Sequence, residues 1–250
     1  MLDSMRPEPR LPLAIRTTLL VLSTVAAGLA LLNLTPLIDR YTFARLFDLN
    51  AEATLATWFS ATLLLGIAAL AGLGASDARL AGEDRTHRRT WVVISLVFVL
   101  LAADETASLH ELVGEKASRF LDIAALPSLY VWVIVVAPVA LLVAVWMARW
   151  FARTLGTRTR SGRRVLLALG LWVLVPALEA LDPSLDGPQT LVVLEESLEM
   201  AGEILMISGL AGYLQGRPLG ALLDRAAAQA REAAGSKSVR GASPQSRSRS

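Results

Sequence analysis

Residues 53–76 read ATLATWFSATLLLGIAALAGLGAS, a run of 24 residues without a charge between Glu52 and Asp77. Two more uncharged runs, 17–38 and 123–148, hold 22 and 26 residues. About 20 apolar residues in a helix cross a bilayer, and a helix is needed because lipid offers backbone groups no hydrogen-bond partner. The composition, 54% hydrophobic with a mean hydropathy of +0.52, is too apolar for an ordinary soluble domain. The sequence therefore predicts an all-α polytopic membrane helical bundle.

Six transmembrane helices are predicted, at about residues 17–36, 54–75, 91–111, 128–148, 165–182 and 190–213. The third, fifth and sixth contain uncharged stretches of only 14, 14 and 13 residues, which are too short to span alone. They become full spans if the neighbouring acids lie inside the membrane boundary and face other helices or a wet cavity. Half-length or re-entrant segments are the alternative, because protein can surround irregular backbone at membrane depth.

The basic residues predict the orientation. If the N-terminus is inside, 20 of the 24 Lys and Arg residues fall on the cytoplasmic side. Cytoplasmic loops of membrane proteins are enriched in these residues, so both termini are expected to be cytoplasmic. The chain then divides into a cytoplasmic N-terminal segment, 1–16, a transmembrane domain, 17–213, and a basic, largely disordered cytoplasmic tail, 214–250. The net charge of +2 reflects this topology, and no nucleic-acid partner is expected.

The N-terminal segment, the missing cysteine and the two histidines give three further expectations. Arg6, Arg10 and Arg16 precede the first apolar segment as in a signal peptide, but the segment is long, so we interpret it as a retained span, with cleavage as the alternative. The chain has no cysteine, which excludes disulfides and thiolate metal sites. It has two histidines, and His87 is expected to be a solvated loop residue.

Acidic residues show the opposite bias, since 15 of the 22 fall on the predicted outer side. Those that interrupt apolar segments are Asp104, Glu105 and Glu111, with His110, in the third span, Glu179 and Asp182 in the fifth, and Glu195, Glu196, Glu199 and Glu203 in the sixth. Lipid makes a buried carboxylate costly, so such acids indicate a site. Measured from the inner ends of their helices, Asp104, Glu179 and Glu199 each lie ~20 Å along at 1.5 Å per residue. Three helices are thus expected to bring acids to one level.

A cluster of this kind must bind protons or a cation, because like charges repel and burial disfavours the charged form. No Lys or Arg lies within these spans to compensate it. His110, Glu111, Glu196 and Glu199 are candidate ligands of a divalent metal such as Zn, Fe or Mn, since they combine nitrogen and oxygen donors. Ceramidase-type membrane hydrolases need more histidines than the two present.

Structural roles are the alternative for each acid. Glu195 and Glu196 suit the first turn of a helix, where solvated acids complement the dipole. Asp104, Glu199 and Glu203 could form a buried structural network, and Glu105 could be exposed at the surface. His110 could donate a hydrogen bond to a backbone carbonyl.

Several motifs resemble those of an uncharacterised family of bacterial polytopic, six-helix integral membrane proteins. They are Phe47-Asp48-Leu49-Asn50-Ala51-Glu52 followed by Thr57-Trp58-Phe59-Ser60, the D-E-x-x-S-x-H-E motif from Asp104 to Glu111, and Glu195-Glu196 with Glu199-Met200. The likeness covers roughly residues 40–213. It implies a multi-pass protein of the bacterial plasma (inner) membrane and brings no reaction.

The sequence is compatible with three functions for this protein. The first is a metal-dependent, hydrolase-like enzyme opening toward the outer leaflet, in which Asp104 or Glu179 is the general base and a lipid-like substrate enters between helices. The second is a proton-coupled or cation transporter with a path along Glu195, Glu199 and Glu203. The third is a structural or assembly subunit. The cytoplasmic halves of the spans lack matching polar residues, which favours a one-sided site. The sequence leaves the oligomeric state open.

Overall fold

The computed structural model describes residues 11–35, 42–49, 51, 54–109, 112, 113, 116, 137–181, 189–223, 225, 226, 228 and 229. Within them the chain is all-α, as predicted, and contains six α-helices of 15 or more residues. These are α1 (Leu13–Asn33), α2 (Leu55–Leu80), α3 (Arg85–Ala107), α4 (Ala137–Phe151), α5 (Arg160–Leu181) and α6 (Gln189–Gln215). A 3₁₀ helix spans Thr42–Phe47, and a π-helical segment, Ala152–Gly156, continues α4.

Four of these helices are long and apolar enough to cross a membrane. They are α1, α2, α3 and α4 with its π-helical extension, over Ala137–Gly156. Much of α1 is exposed and apolar, with Leu20 and Leu31 on its surface. Such helices are typical of a membrane protein. A count of six spans and a cytoplasmic position of both termini remain predictions.

The third helix ends earlier than predicted. It was expected to continue to Glu111, but α3 ends at Ala107 because Ser108 adopts a left-handed conformation with φ of 45°. The Ser108 N–H donates to the Asp104 carbonyl oxygen at 2.7 Å and closes the last turn. The predicted bounds of the third helix, 91–111, therefore extend too far at this end.

The α2–α3 hairpin has clear local causes. Gly82, at φ 71°, supplies the left-handed residue of the turn, and the Asp84 side chain caps α3 by accepting from the His87 N–H at 2.8 Å. That backbone hydrogen bond lowers the pKa of Asp84. His87 therefore lies in the first turn of α3, half-buried, with its Nε2 2.8 Å from Glu83 Oε2. The prediction that His87 is a solvated loop residue is wrong.

One end of the bundle, which we name the arginine end, is where α2, α4 and α6 finish and α3 begins. The Trp91 ring of α3 lies 4.8 Å from that of Trp150 in α4 and 5.7 Å from that of Tyr213 in α6. Asp77, buried near the end of α2, accepts from Arg217 Nε at 2.6 Å. This contact holds the segment after α6 against the α2–α3 hairpin.

The opposite end, which we name the acidic end, contains the end of α3 and the beginnings of α2 and α6. Buried Asn33, the last residue of α1, donates from Nδ2 to the Phe47 carbonyl at 2.9 Å and accepts from the Leu49 N–H at 3.0 Å. The 3₁₀ helix is thereby fixed to α1. Leu49 then packs in an apolar cluster with Val193 and Met200 of α6. Asn33 and Leu49 therefore connect α1 to α6 at this end.

Glycines allow close packing between α6 and α5 and between α2 and α3. A Cβ on Gly209 would lie 2.6 Å from Cγ2 of Val165 and 2.9 Å from the Ser161 carbonyl oxygen of α5. A Cβ on Gly74 of α2 would lie 2.7 Å from the Trp91 ring. Close helix approach through glycine is a common means of packing in membranes.

Replacing Gly209 by Ala should lower the free energy of unfolding by about 1–3 kcal/mol, because a backbone atom of α5 must move to admit the methyl group. Gly170→Ala is the matched control on α5, where an added Cβ meets nothing within 4 Å. The control should be neutral or stabilising by up to about 1 kcal/mol, since Ala is the better helix former. The measurement is the thermal unfolding midpoint in detergent. Equal effects of the two substitutions would contradict this packing.

Candidate acidic site

Glu203, near the middle of α6, is the most deeply buried acid of the candidate site. Its side chain is only 2% exposed. Ser60 Oγ of α2 donates to Glu203 Oε1 at 2.8 Å, which fixes the carboxyl group between α2 and α6. Its other oxygen, Oε2, is buried and has no hydrogen-bond partner in the described structure. A buried carboxyl oxygen without a partner is costly, so this atom needs an explanation.

Glu199 and Glu196 lie one and two turns from Glu203 toward the start of α6, and both are half-buried. The Trp172 indole N–H of α5 donates to the Glu199 carbonyl oxygen at 3.2 Å. The ring can approach because Gly202 has no side chain: a Cβ there would lie 2.7 Å from Trp172 Nε1. Trp172 therefore fixes the segment of α6 that carries the three acids.

The third helix supplies Glu105 to this group. Glu105 lies close enough to Glu196, Glu199 and Glu203 for its charge, when ionised, to repel theirs. Glu195 acts in the same way on Glu196 and Glu199. We name these five residues, with Ser60, the acidic site. Acids from two helices and a hydroxyl from a third thus lie within electrostatic range of one another.

The sequence predicts a catalytic role for Asp104 on α3, whereas the α3 acid within electrostatic range of the α6 glutamates named above is Glu105. Both side chains are half-buried, and Asp104 has interactions of its own. The rotation of α3 decides between them. Trp91 and Phe98 are buried at seven-residue spacing, and Glu105 continues that spacing on the same face. This periodicity is the signal that could have identified Glu105.

Ser60 was not predicted to belong to the site. It is buried on the face of α2 that also carries Leu64, Ile67 and Ala71. A single hydroxyl on an otherwise apolar face is a weak sequence signal, because a serine in a membrane helix can also bond to its own backbone.

Several predicted site residues lie outside the described structure. His110, Glu111 and Asp182 are outside the described residues, and Glu179 is described only as part of the α5 backbone. Within the described residues, no group of three or more His, Asp or Glu side chains is arranged to hold a metal ion. Metal ligation by His110, Glu111, Glu196 and Glu199 stays a prediction.

Among the described residues, the charges that act on Glu196, Glu199 and Glu203 are all negative. No Lys or Arg of the described chain is among the groups that interact with Glu196, Glu199 or Glu203. Like charges this close in a site of low polarity cannot all remain ionised without a counter-charge. The site can therefore hold protons shared among carboxyl groups, or a cation, and Glu203 Oε2 is an open position for either.

An apolar core separates the acidic site from the arginine end. Below Glu203, α6 buries Met206 and Leu210, and these pack with Ile67 of α2, Phe98 of α3 and Leu169 of α5. The described core has no row of acids leading through it. Apolar side chains therefore lie between Glu203 and the arginine end in the described structure, and the one-sided site stays a prediction.

Comparison with known families identifies the family of this chain but brings no activity. A model of the family described as a domain of unknown function (DUF8692) matches residues 14–213. This is most of the 250-residue chain, so the chain belongs to that family. The matched range includes all residues of the acidic site. No curated protein and no solved structure matches the chain.

Removing the charge of Glu203 should stabilise the fold, because a buried carboxylate without a full set of partners is replaced by a neutral amide of the same shape. We expect Glu203→Gln to raise the free energy of unfolding by about 1–3 kcal/mol. The amide oxygen can still accept from Ser60. The measurement is the thermal unfolding midpoint in detergent at neutral pH.

Glu83→Gln is the matched control for this prediction. Glu83 lies at the arginine end, where its carboxylate binds Arg217 and His87. The same change there removes a charge that is paired with Arg217 and should lower the midpoint. A lower midpoint for Glu203→Gln would mean that Glu203 is a structural residue in a satisfied network.

Proposed function

We propose that this DUF8692 member is an integral membrane protein that takes up protons, or a small cation in their place, at its acidic site, and that it is a proton-coupled or cation transporter. The observation that carries the proposal is Glu203 Oε2, a buried carboxyl oxygen without a hydrogen-bond partner among the described residues. The like charges around it make an added positive charge favourable.

The arrangement of the acids along α6 supports a path for protons. Glu195, Glu199 and Glu203 are spaced by four residues, so they follow one face of the helix over ~12 Å at 1.5 Å per residue. Glu195 and Glu199 are half-buried, and Glu203 at the end of this path is buried. A proton could pass between neighbouring carboxyl groups or bridging water to Glu203. Intramembrane acids in such rows are typical of proton relays.

The apolar core beneath Glu203 corresponds in this proposal to a closed gate. Transporters that work by alternating access hold their site open to one side at a time, through movement of one helix group against another. Movement of α6 against α2 would break the Ser60–Glu203 hydrogen bond, which makes that contact the expected sensor of occupancy. With both termini cytoplasmic, the open side would face away from the cytoplasm of a bacterial inner membrane.

Proton flux in proteoliposomes tests the proposal. An imposed pH gradient, with the membrane potential clamped by potassium and valinomycin, should dissipate faster with the protein than without it, as measured by an enclosed pH-sensitive dye. Glu203→Gln should abolish the difference. Asp84→Asn is the control, because it makes the same kind of change at the arginine end and keeps the cap of α3. Undiminished flux in Glu203→Gln would contradict the proposal.

A metal-dependent, hydrolase-like enzyme is the second candidate, and the apolar core between the site and the arginine end favours it, because an enzyme needs access from one side only. The described acids offer only oxygen donors, which suit Mn²⁺ or Mg²⁺, while a nitrogen donor for Zn²⁺ or iron would come from His110. Glu111, Glu196 and Glu199 would complete the ligands, and Asp104 or Glu179 would act as base. A bound metal would supply an activated water or a polarised substrate carbonyl.

Metal analysis of the purified protein separates the two candidates. Near-stoichiometric metal that is lost in His110→Ala supports the enzyme, whereas metal-free protein with proton flux supports the transporter. If neither is found, the remaining proposal is a structural or assembly subunit.

A further inference from the structure

The hairpin that joins α4 to α5 is strongly basic. Residues 149–164 contain six arginines and no acid, and the sequence has no acid anywhere between Asp122 and Glu179. Arg164 is half-buried, and the other five side chains are exposed: Arg149, Arg153, Arg158, Arg160 and Arg163. We name residues 149–164 the arginine hairpin. Its turn is short, because Gly156 takes φ 81° and Thr159 Oγ1 accepts from the Gly162 N–H at 2.9 Å.

Asp77 and Glu83, which the structure describes at this end of the bundle, are engaged with other partners. Asp77 accepts from Arg217 Nε and from the Leu219 N–H, the latter at 2.9 Å. Glu83 binds Arg217 and lies against His87. Arg217 and Leu219 therefore bind these two acids. The arginine hairpin lies beside this contact, since the ring centroids of Trp150 and His87 are 5.2 Å apart. Among the described residues, Arg149, Arg153, Arg158 and Arg163 have no acidic partner, so these exposed charges favour an anionic ligand.

The apolar surface beside the hairpin indicates which anion. On α4, Leu142 is 70% exposed, and Trp146 is also exposed one turn before Arg149. On α5, Leu167 is exposed one turn after Arg163. Basic residues therefore lie directly above apolar helix surface. A phospholipid matches this order, with an anionic headgroup above acyl chains, whereas a free phosphate ion matches only the upper part.

We propose that the arginine hairpin binds the headgroups of anionic phospholipids, with the acyl chains lying along the exposed faces of α4 and α5. The guanidinium group is suited to this because its fork of N–H donors can hold two phosphate oxygens at once. Juxtamembrane basic clusters are attracted to anionic leaflets. The site is at the opposite end from the acidic site and does not depend on the proposed transport function.

Lipid-dependent thermal stability of the full chain in detergent tests this proposal. Phosphatidylglycerol should raise the unfolding midpoint by several degrees more than phosphatidylcholine with the same acyl chains, and added NaCl should reduce the difference because salt screens the headgroup charge. Arg149→Gln/Arg153→Gln should lose more than half of that difference. Arg158→Gln, in the exposed turn, should show a smaller loss and serves if the double variant does not fold.

Arg45→Gln is the matched control, because Arg45 is an exposed arginine of the 3₁₀ helix at the acidic end. It should keep the full difference between the two lipids. Equal midpoints in phosphatidylglycerol and phosphatidylcholine would overturn the proposal, and so would an equal loss in Arg45→Gln. A midpoint shift of the same size with inorganic phosphate alone would also overturn it, because the site would then recognise an ion and not a lipid.

Discussion

A carboxyl group inside an apolar helix bundle must find a donor, a proton or a cation, and Glu203 meets this constraint only in part. Ser60 satisfies one of its oxygens and links α2 to α6. The rest of the acidic end is organised around this contact, since Trp172 fixes α6 from the side of α5 and Gly202 allows the indole ring to approach. The second oxygen remains open among like charges, which is an arrangement that selection for stability alone would not favour.

Charged side chains are arranged differently at the two ends of the bundle. At the arginine end, acids and bases neutralise each other where they are buried, as Asp77 and Arg217 do, and excess arginines are exposed. At the acidic end, the buried acids interact with one another and with a neutral serine. Paired charges suit a structural role, whereas a buried carboxyl oxygen without a partner among the described residues, such as Glu203 Oε2, is retained where a ligand completes it. This contrast is the physical reason for assigning the function to the acidic end.

Much of the fold follows from the sequence because long uncharged runs permit few structures in a bilayer. The all-α class and the approximate positions of the helices were predictable from it. The rotation of α3 was not, because Asp104 and Glu105 are adjacent and only the packing of Trp91 and Phe98 selects between them. The end of α3 at Ala107 depends on a left-handed Ser108, a conformation that residue type alone does not predict. Ser60 was missed because its partner lies 143 residues away in the sequence.

The proposed function depends on acids of α3 and α6 lying close together at one end of the bundle. Cysteine cross-linking tests this claim most directly. The chain has no cysteine, so the double variant Glu105→Cys/Glu196→Cys carries only the two introduced thiols. In native membranes, a short bifunctional thiol reagent should join these two positions efficiently. Glu105→Cys/Arg163→Cys, which pairs the acidic end with the arginine end, should remain unlinked. Failure of the first pair to cross-link, or equal cross-linking of both pairs, would contradict the account.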